Sequence, residues 1–364
     1  MMESCTMSHE LYASVDELLA PETLTALMGK PAKYVRCLPM EGGFSGSSLL
    51  AVEANGDKRI SRFVLKRMSV QADWIMDATN DHHCRSVTLW QNRLLDQLQP
   101  TINHTTLACA HDGDGWAMLM DDISATLMPN QPYTVDQVYL LLQALARVHA
   151  TFWEAAELTA PELGLCGSVD LLQIFAPATG RRFAHVPSPI PQRLVEGWSA
   201  LQRLVAPDVT DVLENLYTDP QPLCAALARY PATLVHGDYR GSNLGIAWQT
   251  TPQAVIIDWQ LAGYSAVTID LAWFLSTPTV LESPVATEVA TEYYRQQLAE
   301  QLGTRFDESR WQPLLALGQL ANVLRSACPK AWSIVNIADE AFQATQRRAL
   351  AIYSEQVRAA LRWL

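Results

Sequence analysis

The sequence predicts an α+β protein of two lobes, in which a small antiparallel sheet precedes a larger and mostly helical part. Its 364 residues are too many for one compact core and sufficient for two. Short runs of β-branched and aromatic residues between turn residues predict strands from residue 34 to residue 120. From residue 134 onward the apolar residues recur at helical spacing. We therefore place the first lobe at residues 1–120 and the second at residues 121–364.

Composition and charge restrict the class of protein. Hydrophobic residues make up 49% of the chain and charged residues 18%, which is typical of a folded globular protein. A net charge of −12 argues against nucleic acid as a partner, because its phosphates attract basic surfaces. The acidic balance leans slightly towards a cationic small-molecule ligand, although an acidic surface that aids solubility explains it more simply.

The chain carries no targeting or membrane signal that we recognise. It has no apolar run of about eighteen residues, so we expect no membrane span. Residues 1–10 lack the basic and apolar regions of a secretory leader. Seven cysteines are scattered without a C-x-x-C pair, as in a reducing compartment. We therefore expect a cytoplasmic protein.

The predicted sheet contains a loop rich in glycine and serine. Residues 34–39, 49–53 and 59–68 are predicted as strands, and residues 41–48 between the first two read EGGFSGSS. Glycines allow close backbone approach, and serine hydroxyls and main-chain N–H groups can donate to phosphate oxygens. The loop matches neither common glycine-rich phosphate motif, so a plain hairpin loop is the alternative.

Two further residues of the chain have a structural and a functional interpretation. Lys66 is one of five lysines and lies inside the third apolar strand, where an edge-strand lysine facing water is the alternative. A capping box formed by Thr134 and Gln137 begins a long helix that we extend to Ala155. His149 lies on this helix, and we interpret it as a structural histidine.

Two predicted strands in the second lobe each end in a polar cluster. Residues 233–235 are followed by His-Gly-Asp, with Asn243 five residues after Asp238, and residues 254–257 are followed by Asp258. Phosphoryl transfer needs a carboxylate that receives the acceptor hydroxyl, and an Asn and an Asp that hold Mg²⁺. Mg²⁺ prefers oxygen ligands, which these side chains supply. A turn rich in Gly, Asp, Ser and Asn is the alternative.

The pattern H-x-D-x-x-x-x-N followed by a strand ending in Asp resembles the catalytic core of the protein-kinase-like fold. Because the two segments read HGD and DWQ here, the chain resembles the aminoglycoside phosphotransferase and choline kinase superfamily. The resemblance implies Mg²⁺-dependent transfer of the γ-phosphate of ATP or GTP to a hydroxyl of a small molecule. It implies Asp238 as the catalytic base, Asn243 and Asp258 as metal ligands, and Asp270 as a brace for the catalytic loop.

The resemblance also assigns residues of the first lobe. It implies that Lys66 contacts the α- and β-phosphates and that the loop containing Ser45, Gly46 and Ser47 covers them. It places the hinge between the lobes near Met120, where backbone groups would bind adenine.

One position departs from the family pattern. The strand lysine is usually held by a glutamate on the next helix, predicted here at Asp81–Leu98, but Ser86 stands where the glutamate is expected. Asp81 is the nearest helical carboxylate and Asp96 a distant alternative. Because of this departure, an alternative function remains open: a catalytically reduced pseudokinase that binds a nucleotide or ligand and acts as a regulator.

The sequence does not identify the acceptor. An aminoglycoside-like antibiotic, an amino alcohol and another hydroxylated metabolite all remain open. Tyr239-Arg240 and the run from Asp258 to Gly263 resemble the kinase-like domains associated with acyl-CoA dehydrogenases and the ecdysteroid-kinase-like group. The oligomeric state is also left open.

Overall fold

A computed structural model of the protein describes residues 9–56 and 60–364. It has an antiparallel sheet in its N-terminal region and a helical C-terminal region, as the sequence predicts. Asp57 of the predicted hairpin turn and Arg59 of the predicted third strand lie outside the described residues. None of the helices in the described ranges is both long and apolar enough to cross a membrane.

The strands of the described residues are short and mostly antiparallel. In chain order they are β1 (Tyr34–Met40), β2 (Ser48–Asn55), β3 (Ile60–Met68), β4 (Ile102–Asn103), β5 (Thr106–Asp112), β6 (Gly115–Asp121), β7 (Thr233–Val235), β8 (Leu244–Ala247), β9 (Gln253–Ile256) and β10 (Gly263–Ser265).

The α-helices lie mainly after the first sheet. In chain order they are α1 (Val15–Leu18), α2 (Pro21–Met28), α3 (Trp74–Ala78), α4 (Arg85–Gln91), α5 (Val135–Thr151), α6 (Ser168–Gln173), α7 (Pro177–Arg182), α8 (Pro189–Leu204), α9 (Pro207–Thr218), α10 (Gln221–Leu227), α11 (Thr268–Leu275), α12 (Pro278–Leu281), α13 (Thr287–Leu302), α14 (Trp311–Asn336) and α15 (Glu340–Ala360).

Three sheets bring the predicted functional segments together. The first is five-stranded, in the order β1-β2-β3-β6-β5, and β3 carries Lys66. The second pairs β7 with β10, and the third contains β4, β9 and β8. β7 ends just before the His-Gly-Asp cluster, and β9 ends two residues before Asp258. The two polar clusters therefore follow strand ends, as predicted.

Two predicted helices are shorter than expected. The capping box of α5 is present, since Thr134 Oγ1 accepts from the N–H of Gln137 and the Gln137 side chain accepts from the N–H of Thr134. The helix ends at Thr151 and not at Ala155, because Glu154 adopts a left-handed conformation with φ of 53°. In the same way Arg93, with φ of 56°, ends the helix predicted at Asp81–Leu98, leaving α4 and a 3₁₀ turn at Leu95–Leu98.

The long helix α14 organises the C-terminal region. It packs against α8, α11 and α15, and its apolar face includes the buried Leu317 and Leu320. The same helix also carries buried polar residues, among them Asn322, Arg325 and Lys330. Burial of polar side chains is costly unless they have partners, so these residues are expected to bond within the fold.

Candidate active site

The catalytic loop that follows β7 is held by one buried carboxylate. The N–H groups of His236 and Gly237 donate to the two carboxylate oxygens of Asp270 at 2.6 and 2.8 Å. Burial would raise the pKa of Asp270, but the hydrogen bond and charge of His149 outweigh burial and hold that pKa below its usual value. Asp270 therefore braces the loop as an ionised carboxylate, as the resemblance implies.

His149 supports this brace and has a structural position. Its Nε2 lies 3.3 Å from Asp270 Oδ2 and its Nδ1 lies 2.5 Å from the hydroxyl of Tyr294. The ring is fully buried. These contacts agree with the interpretation of His149 as a structural histidine.

Gly237 is required by the geometry of the loop. Its φ is +79°, and a Cβ there would lie 2.2 Å from the carbonyl oxygen of Leu261. Its own carbonyl oxygen accepts a hydrogen bond from Nη2 of Arg325. The loop is thus fixed on both sides of the glycine, immediately before Asp238.

Three donors orient the Asp238 carboxylate. Trp273 Nε1 donates to Oδ1 at 3.0 Å and Asn243 Nδ2 donates to Oδ2 at 2.9 Å. Arg240 Nε lies 2.9 Å from Oδ1. The charge of Asp238 raises the pKa of the Arg240 guanidinium above its usual value. The carboxylate is therefore oriented by neutral and cationic donors, and 16% of the Asp238 side chain remains exposed.

The side-chain amide of Asn243 bonds to Asp238 through its nitrogen, and its oxygen is only weakly engaged. Its Nδ2 donates to both the backbone oxygen and Oδ2 of Asp238, each at 2.9 Å, and this network assigns the orientation of the amide. Its Oδ1 receives only the hydroxyl of Ser242 at 3.3 Å. Its backbone oxygen accepts from the N–H of Ile257 at 3.0 Å, which places Asn243 beside Asp258.

Asp258 is paired with the strand lysine. Lys66 Nζ lies 2.7 Å from Asp258 Oδ1, and about a third of the aspartate side chain is exposed. Burial would raise the pKa of Asp258, but the Lys66 ammonium outweighs burial and holds it below its usual value. Burial would likewise lower the pKa of Lys66, but Asp258 first and Asp73 after it hold that pKa above its usual value. Both groups are therefore charged.

The acidic partner of Lys66, which the sequence left open, is Asp258. Neither helical candidate pairs with the lysine: Asp81 precedes α4 and accepts from the N–H of Arg85 at 3.0 Å, and Asp96 faces His104 at 3.2 Å. Ser86 is buried on α4.

The loop of Ser45, Gly46 and Ser47 is fastened to Asp73, a residue that the sequence analysis did not assign. Both serine hydroxyls donate to Oδ2 of this fully buried carboxylate, the Ser45 hydroxyl at 2.6 Å. Its Oδ1 accepts from the Gln260 side chain at 2.7 Å. Gly46 is required here, since its φ is +105° and a Cβ would lie 2.0 Å from the carbonyl oxygen of Ala72. The loop is thereby linked to the segment that carries Asp258.

Met120 lies near the end of β6, between β3 and β5 in the sheet. Strand pairing continues as far as Asp121, which is opposite Phe63. The assignment of Met120 to a hinge that binds adenine stays a prediction.

The free oxygens of the site fit a hard cation. Oδ1 of Asn243 and Oδ2 of Asp258 are acceptors on neighbouring segments, and oxygen ligands of this kind suit Mg²⁺. Within residues 9–56 and 60–364 no group of three or more His, Cys, Asp or Glu side chains could hold a metal ion by itself. Two protein ligands therefore fit a cation that is also bound by phosphate oxygens.

Four residues of the site were not among the predicted site residues. Asp73, Trp273 and Arg325 contact it from segments distant in sequence, so no local pattern indicates them. Arg240 had a usable signal, because a cation two residues after the predicted base on the same loop can reach it, as it does here.

The fold and this arrangement of residues define a protein-kinase-like phosphotransferase class, and comparisons with known proteins agree. The model of the phosphotransferase enzyme family known as APH matches residues 40–314. The chain belongs to this family. No curated protein sequence matches it significantly.

Solved structures are similar to this chain at low sequence identity. An ethanolamine kinase from Plasmodium vivax is 11% identical, with a TM-score of 0.51 over 88% of this chain and 81% of that one. A spectinomycin phosphotransferase solved with ADP and spectinomycin is 13% identical, with a TM-score of 0.48 over 94% and 98% of the two chains. A choline kinase from Streptococcus pneumoniae is 13% identical, with a TM-score of 0.47 over 92% and 97%.

Proposed function

We propose that the protein transfers the γ-phosphate of ATP or GTP to a hydroxyl of a small molecule in a Mg²⁺-dependent reaction. The observation that carries this proposal is the position of Asn243, which donates to Asp238 and whose Oδ1 receives only a long hydrogen bond from Ser242, on a segment that bonds to the residue before Asp258. One short segment thus links a base for a hydroxyl with a ligand for a cation. Membership of the phosphotransferase enzyme family supports the same reaction class.

The chain's own residues would act mainly by position and charge. Asp238 would accept the proton of the acceptor hydroxyl or orient its oxygen, held by Trp273 and Asn243. Lys66 would exchange Asp258 for phosphate oxygens when the nucleotide binds. Asn243 and Asp258 would hold Mg²⁺, which would supply positive charge against the phosphates. Because the transition state is loose, positioning and charge neutralisation supply most of the rate enhancement.

The glycine and serine loop would cover the phosphates mainly through its backbone. The hydroxyls of Ser45 and Ser47 already donate to Asp73, so they fix the shape of the loop. Gly46 lets the chain approach closely without a side chain. The loop N–H groups are then the donors that we expect to face the phosphate oxygens.

The alternative is a catalytically reduced pseudokinase that binds a nucleotide or ligand as a regulator. Its support was Ser86 in place of a glutamate, but Lys66 has a charged partner in Asp258 without that glutamate. A binder also needs no base, whereas Asp238 is oriented by three donors. We therefore favour the enzyme.

The proposal is tested by incubating the purified protein with Mg²⁺-ATP, and separately Mg²⁺-GTP, across a panel of hydroxylated acceptors. The panel holds aminoglycosides, macrolides, amino alcohols, hydroxy acids and sterols, and nucleoside diphosphate release is measured. Release that depends on an acceptor and disappears in Asp238→Ala supports the phosphotransferase. Nucleotide binding without release across the panel supports the pseudokinase.

A further inference from the structure

The helices α11, α14 and α15 contribute a group of buried side chains beside Asp238 that is rich in hydrogen-bond donors. We call this group the acceptor wall; it contains Trp273, Ser276, Asn322, Arg325, Lys330 and Gln346. Trp273 on α11 donates to Asp238, and Ser276 at the end of α11 bonds to Asn322 on α14. Lys330 on α14 reaches the carbonyl oxygen of Ser276 at 2.8 Å. A continuous set of contacts therefore leads from the base to this lysine.

Arg325 on α14 occupies the aromatic part of the wall. Its guanidinium lies 4.4 Å from the ring centroid of Trp273 and 5.8 Å from that of Phe175, and these two rings stack 5.7 Å apart. Arg325 is 1% exposed, and its Nε and Nη1 are buried without a partner. The aromatic pair that could receive a substrate ammonium already holds a cation, so a second cation there would be repelled.

Lys330 lies deeper in the same wall and has only neutral partners. The residue is 7% exposed, and its ammonium contacts the oxygen of Ser276, Oε1 of Gln346 at 3.5 Å and the Tyr353 ring at 5.7 Å. No carboxylate of the described residues is paired with Lys330. Gln346 is 2% exposed, and its Nε2 is buried without a partner.

These contacts leave an excess of hydrogen-bond donors around Lys330, whereas the charge of Arg325 is offset by the nearby Asp238 and Asp270 carboxylates. Three buried nitrogen atoms of Arg325 and Gln346 have no acceptor, and the Lys330 ammonium has no anion. A buried cation is stabilised when an anion with good geometry accepts its hydrogen bonds. A ligand group with two acceptor oxygens and a negative charge meets these requirements, and a second ammonium does not.

We propose that the phosphate acceptor is a small hydroxylated molecule that carries a carboxylate, and that Lys330 and Gln346 bind this carboxylate while Asp238 receives the hydroxyl. The inference rests on the proposed phosphotransferase function and names its substrate class. It contradicts the slight preference for a cationic acceptor that the net charge of −12 suggested. Bulk charge describes the whole surface, whereas a bound acceptor interacts mainly with the charged groups that line its own site.

The test compares three series of acceptors with matched chain lengths: ω-hydroxycarboxylates, neutral diols and amino alcohols. Each series is assayed with Mg²⁺-ATP for wild type, Lys330→Met and Lys30→Met. Methionine has nearly the length of lysine, and replacing a buried unpaired cation with an apolar side chain is compatible with folding. Lys30 is exposed, so Lys30→Met is a matched control.

Wild type should use hydroxycarboxylates best, and Lys330→Met should raise their KM roughly tenfold or more, because the carboxylate loses its charged partner. Lys30→Met should leave that KM unchanged. A preference for amino alcohols, or an unchanged KM in Lys330→Met, contradicts the inference and leaves the phosphotransferase function intact.

A binding measurement tests the carboxylate site independently of the phosphotransferase reaction. Hydroxycarboxylates without nucleotide should raise the melting temperature of wild type and of Asp238→Ala, but not that of Lys330→Met. If this shift is seen and no acceptor is phosphorylated, the carboxylate site is supported and the proposed function is contradicted. If no hydroxycarboxylate shifts wild type and none is phosphorylated, the inference is wrong.

Discussion

The ammonium of Lys66 lies 2.7 Å from Oδ1 of Asp258, which joins the strand lysine of the N-terminal sheet directly to the aspartate predicted to bind metal. The two residues are separated by 192 positions in the chain. The lysine is therefore charged and held without a glutamate at position 86. Lys66 would release this carboxylate to a metal ion when a nucleotide binds.

Replacement of this carboxylate gives the first prediction. Asp258→Ala should abolish metal-dependent nucleotide turnover, since it removes one of two protein ligands that fit Mg²⁺. Nucleoside diphosphate release at increasing Mg²⁺ measures this effect. Asp114→Ala, in the exposed turn between β5 and β6, is the control and should retain full turnover. Turnover in Asp258→Ala that saturates normally with Mg²⁺ would contradict the assignment.

The fastening of the loop to Asp73 gives the second prediction. Ser47→Ala and Asp73→Asn should each raise the KM for Mg²⁺-ATP several-fold with a smaller change in kcat, because each loosens the loop that is expected to cover the phosphates. In the double variant Ser47→Ala should add little, since the serine acts through Asp73.

Steady-state kinetics of the four proteins in this double-mutant cycle provide the measurement. Additive effects would mean that the Ser47 hydroxyl contacts the phosphates itself. Melting temperatures of the same proteins show whether the variants remain folded at the assay temperature.

Arg240 gives the third prediction. Its guanidinium lies 2.9 Å from Asp238 Oδ1, so Arg240→Gln should lower kcat by roughly 10- to 1,000-fold through loss of aligned positive charge beside the base. Arg240→Lys should recover part of this loss, because it keeps the charge without the planar donor geometry. An unchanged kcat in Arg240→Gln would show that the arginine only balances surface charge.

The buried brace Asp270 gives the fourth prediction, on pH. Its pKa in the folded protein lies below its value in the unfolded chain, so it contributes stability above the unfolded pKa of about 4. This contribution is lost as pH falls through the folded pKa, because protonation then breaks the bonds from His236 and Gly237.

Urea unfolding of wild type and Asp270→Asn from neutral pH down to about pH 2, well below the unfolded pKa of about 4, measures this contribution. The variant should be less stable at neutral pH and should lose less unfolding free energy on acidification. Asp114→Asn should follow wild type. An equal loss in Asp270→Asn and wild type would assign the acid sensitivity to other carboxylates.

Local pattern was sufficient for the part of the site that lies in one stretch of chain. Asp238 and Asn243 are five residues apart on one loop, so their proximity follows from sequence, as does the position of Asp258 after an apolar strand. The sheet was predictable for the same reason, because its strands are consecutive runs between turn residues. The limits of α4 and α5 were not, since left-handed residues such as Arg93 and Glu154 carry no strong sequence signal.

Contacts between distant segments could not be predicted from the sequence. Asp73 reaches Gln260 across 187 positions, and Arg325 reaches Gly237 across 88. In the sequence, Asp73 and Arg325 cannot be distinguished from ordinary surface residues, because their partners lie on distant segments. The charge of the acceptor wall was missed for the same reason, since Arg325 and Lys330 are two cations in a chain whose net charge is −12.

The central claim is that Asp238 serves transfer of a nucleotide γ-phosphate to a hydroxyl. It is tested most directly by ³¹P NMR of Mg²⁺-ATP with the best acceptor, in wild type and Asp238→Ala. Wild type should produce a new phosphate-ester signal that grows as the γ-phosphate signal declines. Asp238→Ala should slow this roughly 10²- to 10⁴-fold while still binding ATP, as expected for loss of a general base. Equal rates of ester formation in the two proteins would contradict the account.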